Sequence, residues 1–231
     1  MKIVFFGDSL THGTYGVSYV NKVAAALRGH HFINEGVNGD TSLNLYKRLE
    51  RDVLDHRPDG VLIMVGINDA VSHSEPGTQL YYRYFKGIHG GRITPIAFRE
   101  NLRAMLTGLL FAQIRVWVVL PPVEYRPALV ETLRQMNDYA KAVCAELRVP
   151  SLDLMTELTP AEIPDRPPLR ALPDMLRNLL HRPRTSIDHY DRLQTAGGFT
   201  YSFDGLHLTE RGAQRFADAI VPFLRANGVT G

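Results

Sequence analysis

Residues 2–7, Lys2-Ile3-Val4-Phe5-Phe6-Gly7, form a short run, apolar from Ile3 to Phe6, that passes straight into Asp8-Ser9-Leu10-Thr11. A run that is apolar at consecutive rather than alternate positions belongs to a strand covered on both faces. Such strands lie centrally in parallel sheets, and ligands bind where their carboxyl ends meet the loops. The run therefore predicts an α/β fold and puts Ser9 at the end where such a fold keeps its chemistry.

The rest of the chain repeats the theme. Residues 31–34, 60–65, 116–120 and 149–154 read as further short strands. Between and after them, apolar residues recur at helical spacing over 17–28, 42–53, 94–109, 129–147 and 209–226. Thr41 or Ser42 suits the cap of one helix, and Thr94-Pro95 reads as a cap followed by proline in the first turn of another. The last helix is expected to bury Phe216, Ala219 or Ile220, and Phe223. Alternating strands and helices of this length predict a parallel five-stranded sheet with helices on both faces. The 231 residues show no repeat and no linker, so a single domain is expected.

A formal net charge of +2 implies no general attraction to nucleic acid or to membranes. No apolar run reaches the roughly 18 residues of a membrane span. One lysine and then four apolar residues lead into Gly7, too few for the apolar region of a secretion signal. Cys144 is the one cysteine, which excludes an internal disulfide and leans the expectation toward the cytoplasm. It shares a helical stripe with Ala140, Val143 and Leu147, the place of a small core residue. The glycines form no dinucleotide or phosphate-binding pattern, and no histidine pair has metal-ligand spacing, so neither cofactor nor metal is expected.

Three strands end in small or polar residues: Ser9, then Asn38-Gly39, then Asn68. A fourth group, Asp204-Gly205-Leu206-His207, stands just before the last helix. These are the parts acyl transfer requires. A serine hydroxyl becomes a nucleophile when a base takes its proton, histidine is the usual base near neutral pH, and a carboxylate steadies the imidazolium that forms. Backbone N–H groups of Ser9 and Gly39 and the amide of Asn68 supply donors for an oxyanion, with glycine allowing close backbone approach.

Gly7-Asp8-Ser9-Leu10, Gly39 after Asn38, Gly66-Ile67-Asn68-Asp69 and Asp204-Gly205-Leu206-His207 resemble the four sequence blocks of the SGNH hydrolase (GDSL esterase/lipase) family, in the family's order. The likeness runs from Lys2 to about Leu224, apart from two irregular stretches at 71–93 and 155–203. It implies a three-layer, flavodoxin-like, doubly wound sheet. It further implies Ser9 as nucleophile, His207 as base oriented by Asp204, and Ser9, Gly39 and Asn68 as the oxyanion hole. The expected activity is hydrolysis of small carboxylic esters. An acyltransferase or thioesterase with the same site is the near alternative, and a sugar- or lipid-binding protein on the same scaffold the distant one. The second glycine of the G-x-S-x-G elbow is absent, which separates the chain from α/β-hydrolases.

Other readings stay structural. Asp8 and Asp69 are expected to brace their loops. His12 lies near Ser9 and is taken as a loop residue; His30 and His31 flank a strand, His56, His73, His181 and His189 lie in polar segments, and most of these six read as solvated. Tyr81, Tyr82, Tyr84 and Phe85, followed by Gly87 and Gly90-Gly91, fit either a flap or a packed satellite. Five arginines against two aspartates between 165 and 184 fit either an anion site or a solvated face. Thr159-Pro160-Ala161-Glu162 has the capping-box pattern, and 172–180 has helical composition.

Overall fold

The computed structural model describes residues 1–170 and 187–230. Five strands, β1 (Lys2–Gly7), β2 (His31–Gly36), β3 (Gly60–Met64), β4 (Arg115–Leu120) and β5 (Ser151–Asp153), form one parallel sheet in the order β2-β1-β3-β4-β5. β1 is flanked by β2 and β3, and Ile3, Val4, Phe5 and Phe6 are fully buried. The winding reverses at β1, the switch point at which open α/β sheets hold their ligands. The register matters for function: Gly7 pairs with Gly36 on one side and Met64 on the other, so the three loops that follow start at the same level.

Among the described residues the α-helices are α1 (Ser9–His12), α2 (Tyr19–Ala26), α3 (Ser42–Asp52), α4 (Ile67–Ser74), α5 (Gln79–Phe85), α6 (Pro95–Phe111), α7 (Pro127–Leu147), α8 (Leu154–Leu158), α9 (Ile187–Gly197) and α10 (Glu210–Ala226). α3 packs on α6, α6 on α7 and α7 on α4, while α2 packs on α10. Right-handed crossovers on either side of the switch put these two groups on opposite faces, giving three layers. Thr94 caps α6 as expected, its hydroxyl accepting from Ala97 N–H at 3.1 Å. Thr41 caps α3, and its N–H donates to Asn44 Oδ1 at 3.1 Å. Cys144 is buried on α7, and its thiol is pushed up to about 12 by burial.

Several expectations need correcting. β2 runs on through Asn34 and Glu35 to Gly36, because only one edge of it is paired and its polar residues can face water. The stretch 71–93 is largely helical, holding the end of α4 and all of α5. α10 buries Phe216, Ile220 and Leu224; Phe223 and Ala219 are only half-buried, so the apolar stripe sits one residue further along at its end. The capping pattern at Thr159 starts no helix: α8 ends there, and the chain that follows carries Pro160, Pro164, Pro167 and Pro168. The helix expected over 172–180 lies outside the described residues. Among the described residues no helix is long and apolar enough to cross a membrane.

Candidate active site

The residues singled out at the strand ends line a single cleft, together with Leu206 and His207 from the group before the last helix. Ser9, Asn38, Gly39, Asn68 and His207 share it with Tyr15, Tyr81, Tyr82, Val71, Thr78, Leu169, Arg170 and Leu206. Its volume is about 160 Å³.

Ser9 opens α1 directly after β1. Asp8 caps that turn, its Oδ1 accepting from Leu10 N–H at 3.0 Å. Asp8 Oδ2 also accepts from the Asn68 amide at 3.2 Å, and Tyr82 O–H donates to the other end of that amide, Oδ1, at 2.8 Å. Burial pushes the Asp8 carboxyl up to about 6, against the opposing pull of Leu10 N–H, His207 and Asn68. Asp69 is fully buried and accepts from Ser42 N–H at 2.9 Å and Ser42 O–H at 2.5 Å. Burial pushes it up to about 7. Both aspartates brace their loops, as the sequence suggests.

Asp204 and His207 sit in a tight turn in which Gly205 takes φ 90°, a conformation side chains rarely adopt. Asp204 Oδ1 accepts from His207 N–H at 2.7 Å, and Asp204 Oδ2 lies 2.8 Å from His207 Nδ1. His207 Nε2 is 3.1 Å from Ser9 Oγ, across 198 residues of sequence. Burial would raise Asp204, but the imidazole and the turn's own N–H groups outweigh it and hold the carboxyl below its ordinary value. An ionised carboxylate only accepts, so Nδ1 carries the proton and Nε2 receives the serine hydroxyl. Burial would likewise depress His207, yet Asp204 reverses the effect and raises it above its ordinary value. The Phe203 ring stacks on the imidazole at 5.9 Å and Tyr15 flanks it at 5.4 Å.

Gly39 has φ 75°, and a Cβ there would come within 2.3 Å of the Tyr81 hydroxyl. Only glycine fits between the cleft and that ring. Its loop is held by Asp40, which pairs with Arg48 at 2.8 Å and Lys86 at 2.7 Å. Arg48 also donates to the carbonyls of Gly7 at 2.8 Å and Glu35 at 3.0 Å, tying the ends of β1 and β2 together.

Three supports are not evident from sequence spacing. Arg48 reads as one more polar position on α3. Tyr82 reads as one of an aromatic group. Glu124 follows Pro121-Pro122-Val123 after β4 and looks like turn chemistry; a charged residue just past a buried strand end is the one hint. It is buried and accepts five hydrogen bonds from Thr200, Tyr201 and Ser202, at 2.6–3.1 Å. That segment pairs in turn with the His207 segment, through Phe203 N–H to His207 O at 2.9 Å and Thr209 N–H to Tyr201 O at 3.1 Å.

Of the other histidines, His12 is exposed and bonded to Thr14, His30 lies 3.0 Å from the Thr230 carbonyl, and His56 pairs with Glu35 at 2.8 Å. In the aromatic stretch Tyr82 is 3% exposed and Lys86 O accepts from Asn44 at 2.8 Å, while Leu80, Tyr84 and Phe85 are exposed. In the arginine-rich stretch, Arg166 is a structural pin, donating to Tyr125 O at 2.7 Å and Gly197 O at 2.6 Å. Arg170 lines the cleft, while Arg177, Arg182, Arg184 and His181 lie outside the described residues.

The chain matches the profile described as the GDSL-like Lipase/Acylhydrolase family over residues 5–215. An acetylxylan esterase of Geobacillus stearothermophilus is 36% identical over 86 residues, which are 29% of this chain and 39% of that protein. The platelet-activating factor acetylhydrolase IB subunit alpha1 of Rattus norvegicus is 28% identical over 145 residues, 62% of this chain and 54% of that one. These alignments span only about two fifths to a half of the relatives' length. The crystal structure of a lipase/acylhydrolase from Enterococcus faecalis superposes with a TM-score of 0.63 at 24% identity, covering 98% of this chain and 96% of that one. At that identity the likeness speaks to the fold.

Proposed function

This chain belongs to the GDSL-like lipase/acylhydrolase family, the SGNH hydrolases, and on that premise we propose that it cleaves short-chain carboxylic esters through an acyl-Ser9 intermediate. One observation carries the reading: the continuous chain of hydrogen bonds from Asp204 to His207 at 2.8 Å and from His207 to Ser9 at 3.1 Å.

Ser9 Oγ attacks the ester carbonyl carbon while its proton passes to His207 Nε2. The carbonyl oxygen becomes an oxyanion facing the N–H groups of Ser9 and Gly39 and the Asn68 amide, each such donor being worth about 10²–10³ in turnover. The C–O bond of the ester then breaks, and His207 returns the proton to the leaving alkoxide. Water attacks the acyl carbon, His207 takes its proton and gives it to Ser9 Oγ as the acid departs. Asp204 keeps the imidazole in the tautomer that accepts from serine.

A cleft of about 160 Å³ is close to the ~150 Å³ cavity that holds a single benzene ring, so it admits an acyl group of a few carbons. Two of the relatives carry acetyl substrates in their names, which supports the same short acyl preference here. The test is hydrolysis of an aryl acetate by the parent and by Ser9→Ala. The reading expects the variant to lose all but background turnover; equal rates would overturn it. Acyl transfer to an added alcohol, or cleavage of a thioester, uses the same intermediate and is read in the same assay by changing acceptor or leaving group.

A further inference from the structure

We propose that Tyr82 is a positioning residue that holds the Asn68 amide in the orientation in which its N–H faces the oxyanion. The inference rests on the reading of Asn68 as an oxyanion donor. An asparagine side chain has two ends of similar shape and opposite character, and only one of them can stabilise a developing negative charge. If the amide turns over, Oδ1 replaces Nδ2 at the cleft and repels the charge it should receive.

Two groups prevent that. Asp8 Oδ2 accepts one Nδ2 proton at 3.2 Å, leaving the second available to the cleft. Tyr82 O–H donates to Oδ1 at 2.8 Å, the shorter contact of the two, and as a donor it engages the carbonyl end. Tyr82 is 3% exposed and its ring packs edge-on to Tyr81 at 5.2 Å. Burial drives its phenol well above the ordinary value, so it remains a donor through the working pH range. The hydroxyl comes from α5, which lies in the stretch where the sequence departs from the compact family pattern. This chain thus fixes a block residue with a side chain from its own insertion.

Because Tyr82 acts through Asn68, its effect must vanish when Asn68 is gone. The experiment is a double-mutant cycle with Tyr82→Phe and Asn68→Ala, read with an aryl acetate. Tyr82→Phe keeps the ring and loses one buried hydrogen bond, so kcat should fall about tenfold with KM within about twofold. Asn68→Ala should lower kcat by about 10²–10³. In the Asn68→Ala background, Tyr82→Phe should change kcat by less than about twofold. Tyr82→Met, which also lacks the hydroxyl, carries the same expectation as a second variant. Parent-level kcat in Tyr82→Phe beside a large loss in Asn68→Ala overturns the inference, as do equal losses from Tyr82→Phe in both backgrounds. Parent-level kcat in Asn68→Ala overturns the oxyanion reading itself, an outcome distinct from the other two.

Discussion

Glu124 makes the sharpest claim about what holds the site together. Its Oε2 accepts from Thr200 N–H and O–H, both at 2.8 Å. Its Oε1 accepts from Tyr201 N–H at 3.1 Å, Ser202 N–H at 2.9 Å and Ser202 O–H at 2.6 Å. Glu124→Gln can keep a carbonyl oxygen on the three-donor side and turn its NH₂ toward Thr200. Thr200 is exposed, so its N–H finds water, and the cost is the lost charge assistance, about 1–2 kcal/mol. Glu124→Ala strands the buried N–H groups of Tyr201 and Ser202 at about 1–3 kcal/mol each, or about 4 kcal/mol together. For a chain of this size each kcal/mol moves the melting temperature by about 2–4 °C, so the alanine variant should melt roughly 8–16 °C lower. Urea unfolding gives both free energies, and aryl acetate turnover in the still-folded range should fall in the same order. Equal stabilities for the two variants, or a cost below about 1 kcal/mol for alanine, would refute the assignment of these bonds.

Further consequences can be checked separately. Asp204→Asn removes the charge that raises His207, so the acid limb of the kcat/KM profile should move to lower pH and kcat should fall by about 10⁴, as in a serine protease triad; an unmoved limb contradicts the pairing. In the parent that limb should lie above the ordinary histidine value of about 6.5, because His207 must be neutral to act and its pKa is raised. Asp69 and Asp8 are held up to about 7 and about 6, so the stability they contribute is present at low pH and lost as pH rises through those values. The contribution of these two groups to the melting temperature should therefore fall between about pH 4 and pH 7, and Asp69→Asn should flatten the fall; a curve as steep in Asp69→Asn as in the parent would contradict it. Tyr81→Ala opens the wall beside Gly39, and the best aryl ester should shift to a longer acyl chain in a chain-length series.

The parts of this fold that are legible in the sequence are those where local pattern and final environment agree. β1 is apolar at every position from Ile3 to Phe6 because both of its faces are covered, and Thr94-Pro95 caps a helix by local bonds alone. β2 reads two residues short because its edge position tolerates Glu35, which with Gly36 local pattern assigns to the following turn. α5 escapes notice because it buries a single tyrosine and leaves Leu80, Tyr84 and Phe85 exposed, so no helical stripe appears. Ser9, Gly39 and Asn68, at strand ends, and Asp204 and His207, just before the last helix, stand out as the residue types acyl transfer requires. Glu124, Arg48 and Tyr82 do not, since each serves partners distant in sequence: Glu124 reaches Ser202, and Arg48 reaches Gly7. Their types are ordinary where they stand, and only the folded chain gives them their work.

In the proposed reaction Ser9 Oγ is the atom that takes the acyl group. Treatment with an aryl organophosphonate, followed by intact mass and peptide mapping, tests this directly. The geometry predicts one adduct per chain, on Ser9, formed much more slowly in His207→Ala. An adduct on another residue, or labelling of Ser9 at an unchanged rate without the imidazole, would contradict it.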